Sequence, residues 1–495
     1  MTFSRPTGYY SRLFQEPSEP LAPKQENDLI KLGQAMRYDI EREGTLTPRV
    51  GYTYFAQFVG HDLTHDTTPL AGARKDPELT LNYRTPYLDL GHVYGGGPRN
   101  SPNLYKGEPG AEVFKIGATT PGAYKRDLSF ENGVLLIGDQ EDTRNLDNLI
   151  LRQLHVVFLK FHNEAVKQLC ARPPLVTGIE SFESGTIFER AQRLVRWHYQ
   201  WIVRHDFLPR ILHTGVWAHQ NQFRLRGQSQ TRFSIPIEFS LAAFRFGHSM
   251  VRNAYGLNCR QKRVELPELM RRGQSLSPLP DDFIIEWGRF FDGLPASGPV
   301  ASSSYLDTSI AASLHGLSLS TVRLSSPMEY TVEPASLPVR TLIRGARARL
   351  PSGQEVADAL LEQGIIKPQD RLTSAQLTED TSNHSGNVLR EVGLDRNTPL
   401  FYYLLKESEI IASGETLGPI GSYIIANVIQ GALEADPDSY MSVAGPKWKL
   451  PLWRFPSGSK RSVNSLIGII QLIGDNQLLP ECDAHWRRFL LKPFS

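Results

Sequence analysis

Three cysteines in 495 residues, Cys170, Cys259 and Cys482, are odd in number and far apart. That spacing excludes a disulfide framework and paired thiolate ligands, and it suits a reducing compartment. Long apolar runs are missing too, since no stretch reaches the ~18 uninterrupted apolar residues of a membrane span. The nearest, Leu417 to Leu433, is broken by Gly418, Pro419, Ser422, Asn427 and Gln430 and reads as a buried helix. Met1 to Pro20 carries Arg5, Arg12 and Glu16 and lacks the apolar core of a signal peptide. The expectation is a cytoplasmic protein, or one secreted without a recognisable leader. An excess of either charge is also absent: 54 Lys and Arg stand against 52 Asp and Glu, a net charge of +2. Nothing there argues for nucleic acid or an anionic membrane as partner. Strand signals are few and short, as at Val134 to Ile137 and Tyr330 to Val332, and there is no internal repeat.

Helical periodicity fills the space these absences leave. Between Arg144 and Leu169, apolar residues fall at Leu146, Leu149, Ile150, Leu154, Val157, Phe158, Phe161, Ala165 and Leu169, the three-four spacing of one buried face. Phe188 to Leu212 repeats this with more aromatics. Ile237 to Val251 follows Pro236, which suits a first helical turn. Asp307 to Leu314, Gly353 to Gln363, Thr398 to Ala412, Gly418 to Leu433 and Ser462 to Ile473 add further predicted helices. Long Gly/Pro/Ser stretches at Gly91 to Gly110, Gly273 to Leu279 and Leu294 to Ser304 read as loops that wrap a site. The expected architecture is mainly α, with an irregular N-terminal arm over residues 1–30 and a single domain over residues 31–495.

Chemistry-bearing residues concentrate first between Gln57 and Asp66. In a helix, His61 and His65 share a face one turn apart, Gln57 lies one turn earlier, and Asp62 points roughly 100° away. Three readings stand side by side: a solvated polar helix end, a zinc site using His-x-x-x-His, and a general base at His61 with Asp62 turned toward a hard cation. The zinc-hydrolase pattern wants Glu after the first His, where this chain has Asp62. Thr85, Tyr87 and Asp89 then offer hydroxyl, carbonyl and carboxylate oxygens at alternate positions, as Ca²⁺ prefers, or else form an ordinary turn. Arg144 opens the long helix after Asp142 and Thr143, either as surface charge beside a cap or as a buried guanidinium. His248 stands alone among Phe and Ala, where a core histidine is the ordinary reading, and Gly247 beside it permits close approach of a flat ligand.

Taken together and in order, Gln57-x-x-x-His61-Asp62, Thr85 to Asp89, Arg144 with His155 eleven residues on, and Arg245-x-x-His248-Ser249 resemble the animal haem peroxidase family. The resemblance is to a bacterial-type member and covers residues ~50 to 350, with similarity again from Thr398 to Leu433. It implies the helical peroxidase fold, haem b and Ca²⁺. The implied activity is reduction of hydrogen peroxide through a high-valent iron state, coupled to oxidation of a small organic or inorganic (halide or thiocyanate) reductant. His61 would be the distal base, Gln57 the holder of a distal water or anion, and Arg144 the distal arginine. His248 would be the axial iron ligand, with Arg245 three residues before it. Asp62, Thr85, Tyr87 and Asp89 would be the calcium ligands.

The resemblance also locates departures. Of the two carboxylates that esterify haem in secretory members, Gly60 replaces one and Asp147 stands for the other, with Asn148 where one member has a methionine. Covalent attachment is therefore single at most. Gly91 lacks the hydroxyl of the calcium loop. Thr341 stands where an asparagine accepts the proximal imidazole N–H, and Arg344 matches a propionate-binding arginine. The oxygenase branch places a tyrosine three residues before the proximal histidine; Arg245 there favours peroxidase chemistry over a fatty-acid dioxygenase, and the retained distal residues favour it over a non-catalytic haem binder.

Overall fold

A computed structural model describes residues 8–17, 26–40, 48–68, 79–122, 124–179, 182–218, 233–317, 335–380, 383–479 and 482. The longer helices that build the site are α1 (Val50–Leu63), α2 (Leu149–Cys170), α3 (Ile187–Ile202), α4 (Leu337–Arg347), α5 (Leu400–Ala412) and α6 (Pro419–Ala435). Their starts follow local chemistry. Asn148 caps α2 by accepting from Leu151 N at 2.9 Å, and Thr186 and Glu189 form a reciprocal capping box on α3. Strands among the described residues pair only two at a time, and Ile310–Ala311 lies parallel to Arg37–Tyr38.

Aromatic packing holds α1, α2 and α3 together. Phe58 of α1 stacks on Phe158 of α2 at 4.8 Å, and Tyr199 of α3 meets both rings edge-on at 6.2 and 5.7 Å. All three are buried, in one hydrophobic cluster that runs from Tyr10 to Leu472. Burying each such ring contributes roughly 1.5–3 kcal/mol, so α1 is fixed firmly enough to aim its polar residues. The arm is also tied in where it is described: Glu238 accepts from Leu13 N and Phe14 N at 3.0 and 3.2 Å.

Several expectations from periodicity need correction. The segment Ile237 to Val251 is not one helix but Ile237–Leu241, a 3-10 turn Ala243–Arg245 and Gly247–Met250. The break is at Ala242, whose φ −133 and ψ −74 are not helical. Arg144–Leu146 is a separate 3-10 turn ahead of α2. Asp307 to Leu314 holds a short strand and a 3-10 turn rather than a helix, and the last predicted helix shortens to Leu466–Leu472. The cysteines are not all free: Cys259 and Cys482, 223 residues apart, form a disulfide with Cα atoms 5.6 Å apart, leaving Cys170 as the exposed thiol. The Tyr330 to Val332 strand lies outside the described residues. No helix among them is long and apolar enough to cross a membrane.

Candidate active site

One cavity of about 360 Å³ gathers Gln57, His61, Arg144, Asp147, Arg245 and His248. From α1 it takes Tyr54, Gln57, Gly60 and His61, with Thr64 just past its end; from the turn before α2, Arg144, Asp147 and Asn148; and from the broken segment, Phe244, Arg245, Gly247 and His248. Gly60 leaves its part of the wall open toward the Phe244 ring, which a Cβ there would meet at 3.4 Å.

His61 is buried, and its Nδ1 lies 2.9 Å from Asn145 Oδ1, which leaves Nε2 as the ring nitrogen available to the cavity. Burial, reinforced by the Arg144 guanidinium, holds its pKa well below the usual histidine range, so the imidazole is neutral at pH 7. Arg144 donates from Nε and Nη2 to Asp142 at 2.7 and 2.6 Å, and from Nη2 to the His61 carbonyl at 3.1 Å. Asp142 also receives Arg84 at 2.7 Å. Burial works against its charge, but the guanidiniums of Arg144 and Arg84 outweigh this and keep it ionised. Gln57 Oε1 accepts from Asn148 Nδ2 at 3.4 Å.

His65 does not share a face with His61, because α1 ends at Leu63 and Thr64 is extended. His65 Nδ1 lies 3.8 Å from Asp142 instead. Among the described residues, no His, Cys, Asp or Glu cluster with metal-ligand spacing includes either histidine; the one such group contains the disulfide. The zinc reading has no geometric support.

On the proximal side His248 lines the cavity, its ring 6.0 Å from Phe401. Burial, then Arg245, pushes its pKa down to about 3. A metal-ligating histidine must be neutral, and this one is. Its Nδ1 is buried without a hydrogen-bond partner among the described residues. The bond expected from the imidazole to Thr341 is therefore not made, and Thr341 Oγ1 donates to Leu337 O within α4 at 3.0 Å. Arg344 is likewise not on the wall; it pairs with Asp66 at 3.0 Å and donates to Thr68 O. Arg340, one turn earlier on α4 and not singled out in the sequence, lines the cavity beside Arg245. Burial, then Arg344 and Arg340, lowers the Arg245 pKa to about 10. Haem fits this donor set: a neutral unpaired imidazole for the iron, apolar and Gly-lined walls for the ring, and crowded guanidiniums for its carboxylates.

The residues expected to hold a cation assemble beside α1. Asp62 is fully buried, accepting from Leu90 N at 3.1 Å and contacting His92 Nδ1 at 2.8 Å. Leu90 reaches it with φ 59, an uncommon value for a side chain of that size. Asp89 accepts from Thr85 Oγ1 at 2.7 Å and Gly91 N at 2.8 Å, and Tyr87 is half-buried between them. Burial raises Asp62 to about 7; burial and then the Asp62 charge raise Asp89 to about 6. Two carboxylates pressed together in this way are compatible with a hard cation.

Residues 57–285 match the animal haem peroxidase family. Peroxidase mlt-7 of Caenorhabditis elegans is 28% identical over 209 residues, 39% of this chain and 25% of that protein. The probable oxidoreductase PXDNL of Homo sapiens is 27% identical over 188 residues, 34% of this chain and 12% of that protein. The chain thus spans a quarter or less of these relatives' lengths. In fold it is similar to peroxidase A from Dictyostelium discoideum, with TM-score 0.59 and 14% identity over 97% of this chain and 96% of that one. It is also similar to the fatty acid alpha-dioxygenase of Oryza sativa, with TM-score 0.61 and 15% identity over 90% of this chain and 78% of that one. The matched stretch, residues 57–285, carries Gln57, His61, Arg144 and His248.

Proposed function

We propose that the chain is a haem peroxidase that reduces hydrogen peroxide and oxidises a small organic or inorganic substrate. The observation that carries this is the convergence of His61, Gln57, Arg144 and His248 on one cavity. Haem bound there supplies the iron at which the peroxide O–O bond is cleaved. His248 holds the iron as a neutral imidazole, and Arg245 and Arg340 bind the porphyrin carboxylates. His61 Nε2 takes the proton from one peroxide oxygen and returns it to the other. Arg144, prealigned by Asp142, faces the negative charge that develops on the departing oxygen. Gln57, its carbonyl engaged by Asn148, offers its amide N–H to a water or small anion. With Gly60 bare and Asp147 alone on the wall, haem is held without a covalent bond or through one ester.

The test is an absorption spectrum of haem-supplemented protein before and after peroxide. A Soret band that shifts within milliseconds, and a rate lost in His61→Ala while haem stays bound, supports the reading. Bound haem indifferent to peroxide refutes it.

A second reading, an oxygenase on the same scaffold, draws on Tyr54. Its ring lines the cavity, and its buried hydroxyl end lies beside Tyr255 at a ring separation of 5.6 Å. Consumption of O₂ with a fatty acid and no peroxide, abolished by Tyr54→Phe, would select it.

Calcium at Asp62, Asp89, the Thr85 hydroxyl and the Tyr87 carbonyl is part of the same proposal. Stoichiometric calcium by elemental analysis, lost in Asp89→Ala, is the expected result. Of the two expected locations, the Cys259–Cys482 disulfide supports a secreted protein, since such bonds persist in oxidising compartments.

A further inference from the structure

Asn145 joins two histidines that the peroxidase reading treats separately. It sits in the 3-10 turn between α1 and α2, buried, with Oδ1 2.9 Å from His61 Nδ1 and Nδ2 3.1 Å from His155 Nδ1. A primary amide has one accepting end and one donating end. With the amide donating to His155, its oxygen meets His61, and His61 Nδ1 must carry the proton. The polarity is consistent further back. Asp62 accepts from Leu90 N on one oxygen and meets His92 Nδ1 on the other, so His92 is protonated at Nδ1 and bare at Nε2. His155, bare at Nδ1, is protonated at Nε2. The two Nε2 atoms are buried without partners among the described residues, one a donor and one an acceptor, on rings 6.2 Å apart. A reversed amide would place two acceptors there and leave His61 with Nε2–H in the cavity, a donor rather than a base.

We propose that Asn145 is a positioning residue: it fixes His61 as the Nδ1–H tautomer and so makes Nε2 the lone-pair nitrogen in the cavity. The inference rests on the peroxidase reading for its chemical meaning, but its structural content is testable without haem. Ring ¹H–¹⁵N correlation spectra of the ¹⁵N-histidine-labelled full chain, free of haem, report the tautomer, with His61 assigned by its loss in His61→Gln. Wild type and Asn145→Asp, which keeps an acceptor oxygen, should show His61 protonated at Nδ1. Asn145→Leu, which removes the acceptor at similar volume, should show a mixture of tautomers. In haem-loaded protein, Asn145→Leu should slow the peroxide reaction about 10–100-fold, within the range general-base catalysis supplies, with haem retention unchanged. Asn145→Asp should recover most of that rate.

An Nε2–H His61 in wild type overturns the proposal, as does an Asn145→Leu protein with unchanged tautomer and rate. So does loss of haem or fold in Asn145→Leu that Asn145→Asp fails to restore, which would mark a structural role only. Haem-loaded wild type that ignores peroxide would defeat the peroxidase reading, while the tautomer spectra would still decide the role of Asn145.

Discussion

Asp142 grips Arg144 at 2.6 Å and, through the same residue, meets Arg84 at 2.7 Å, so one buried carboxylate anchors two guanidiniums. The first expectation follows from that pairing. Asp142→Ala leaves Arg144 without its carboxylate, while Arg84 keeps Asp139 at 3.2 Å; breaking a buried pair costs about 3–5 kcal/mol. The variant should melt at a clearly lower temperature, and the haem-loaded protein should react with peroxide about ten-fold or more slowly as Arg144 loses its alignment. An unchanged peroxide rate would show that Arg144 does not depend on Asp142.

Arg340 and Arg344 separate cleanly. Arg340 lines the cavity, whereas Arg344 is engaged by Asp66 and Thr68. A hydrogen bond to a charged group is worth about 1.5–3 kcal/mol, so Arg340→Ala should release haem to apomyoglobin about ten-fold faster or more. Arg344→Ala should leave that rate within about two-fold. The reverse order would return Arg344 to the cofactor.

The Cys259–Cys482 disulfide ties the chain near its C-terminal end back to residue 259, closing a loop of 223 residues. Removal of a native disulfide costs about 2–5 kcal/mol. Cys259→Ser with Cys482→Ser should therefore unfold at a lower denaturant midpoint, and reductant should lower the midpoint of wild type but not of the double variant.

Glu407 gives the pH dependence. It is fully buried and accepts from Ile420 N and Gly421 N at the start of α6, at 2.8 and 3.1 Å. Burial raises its pKa from 4.5 to about 8, despite those two donors. Between those values the folded chain binds the proton and the unfolded chain does not. Stability from this group therefore falls as pH rises through the window, by at most about 1.4 kcal/mol per pH unit. Chemical denaturation of Glu407→Gln against wild type should show the variant gaining relative stability from pH 5 to pH 8. A difference flat with pH would refute the shift.

Much of the site was legible in the chain because its signals are local. Gln57 and His61 are one turn apart on α1, and Arg245 and His248 three residues apart, so backbone periodicity alone brings each pair to one wall. The apolar face of α2 and the caps at Asn148 and Thr186 depend on neighbours within four residues. Most of what failed in the local reading failed at element ends. Thr64 leaves the helix, so His65 turns to Asp142, and Ala242 breaks the proximal segment. One failure lies inside an element: Thr341 donates to the i−4 carbonyl of Leu337, and His248 Nδ1 is left without a partner among the described residues.

The sequence by itself determined a mainly helical fold and the identities of the residues that meet in the cavity, because spacing and side-chain chemistry are written locally. Tertiary structure alone decided which partners they keep. The choice of Arg340 over Arg344 turns on a rotation of about 40° along one helix, which periodicity does not resolve. The pairing of Cys259 with Cys482, and of Asn145 with His61, joins positions remote in the chain. Such contacts are set by how whole elements pack, and no local pattern encodes them.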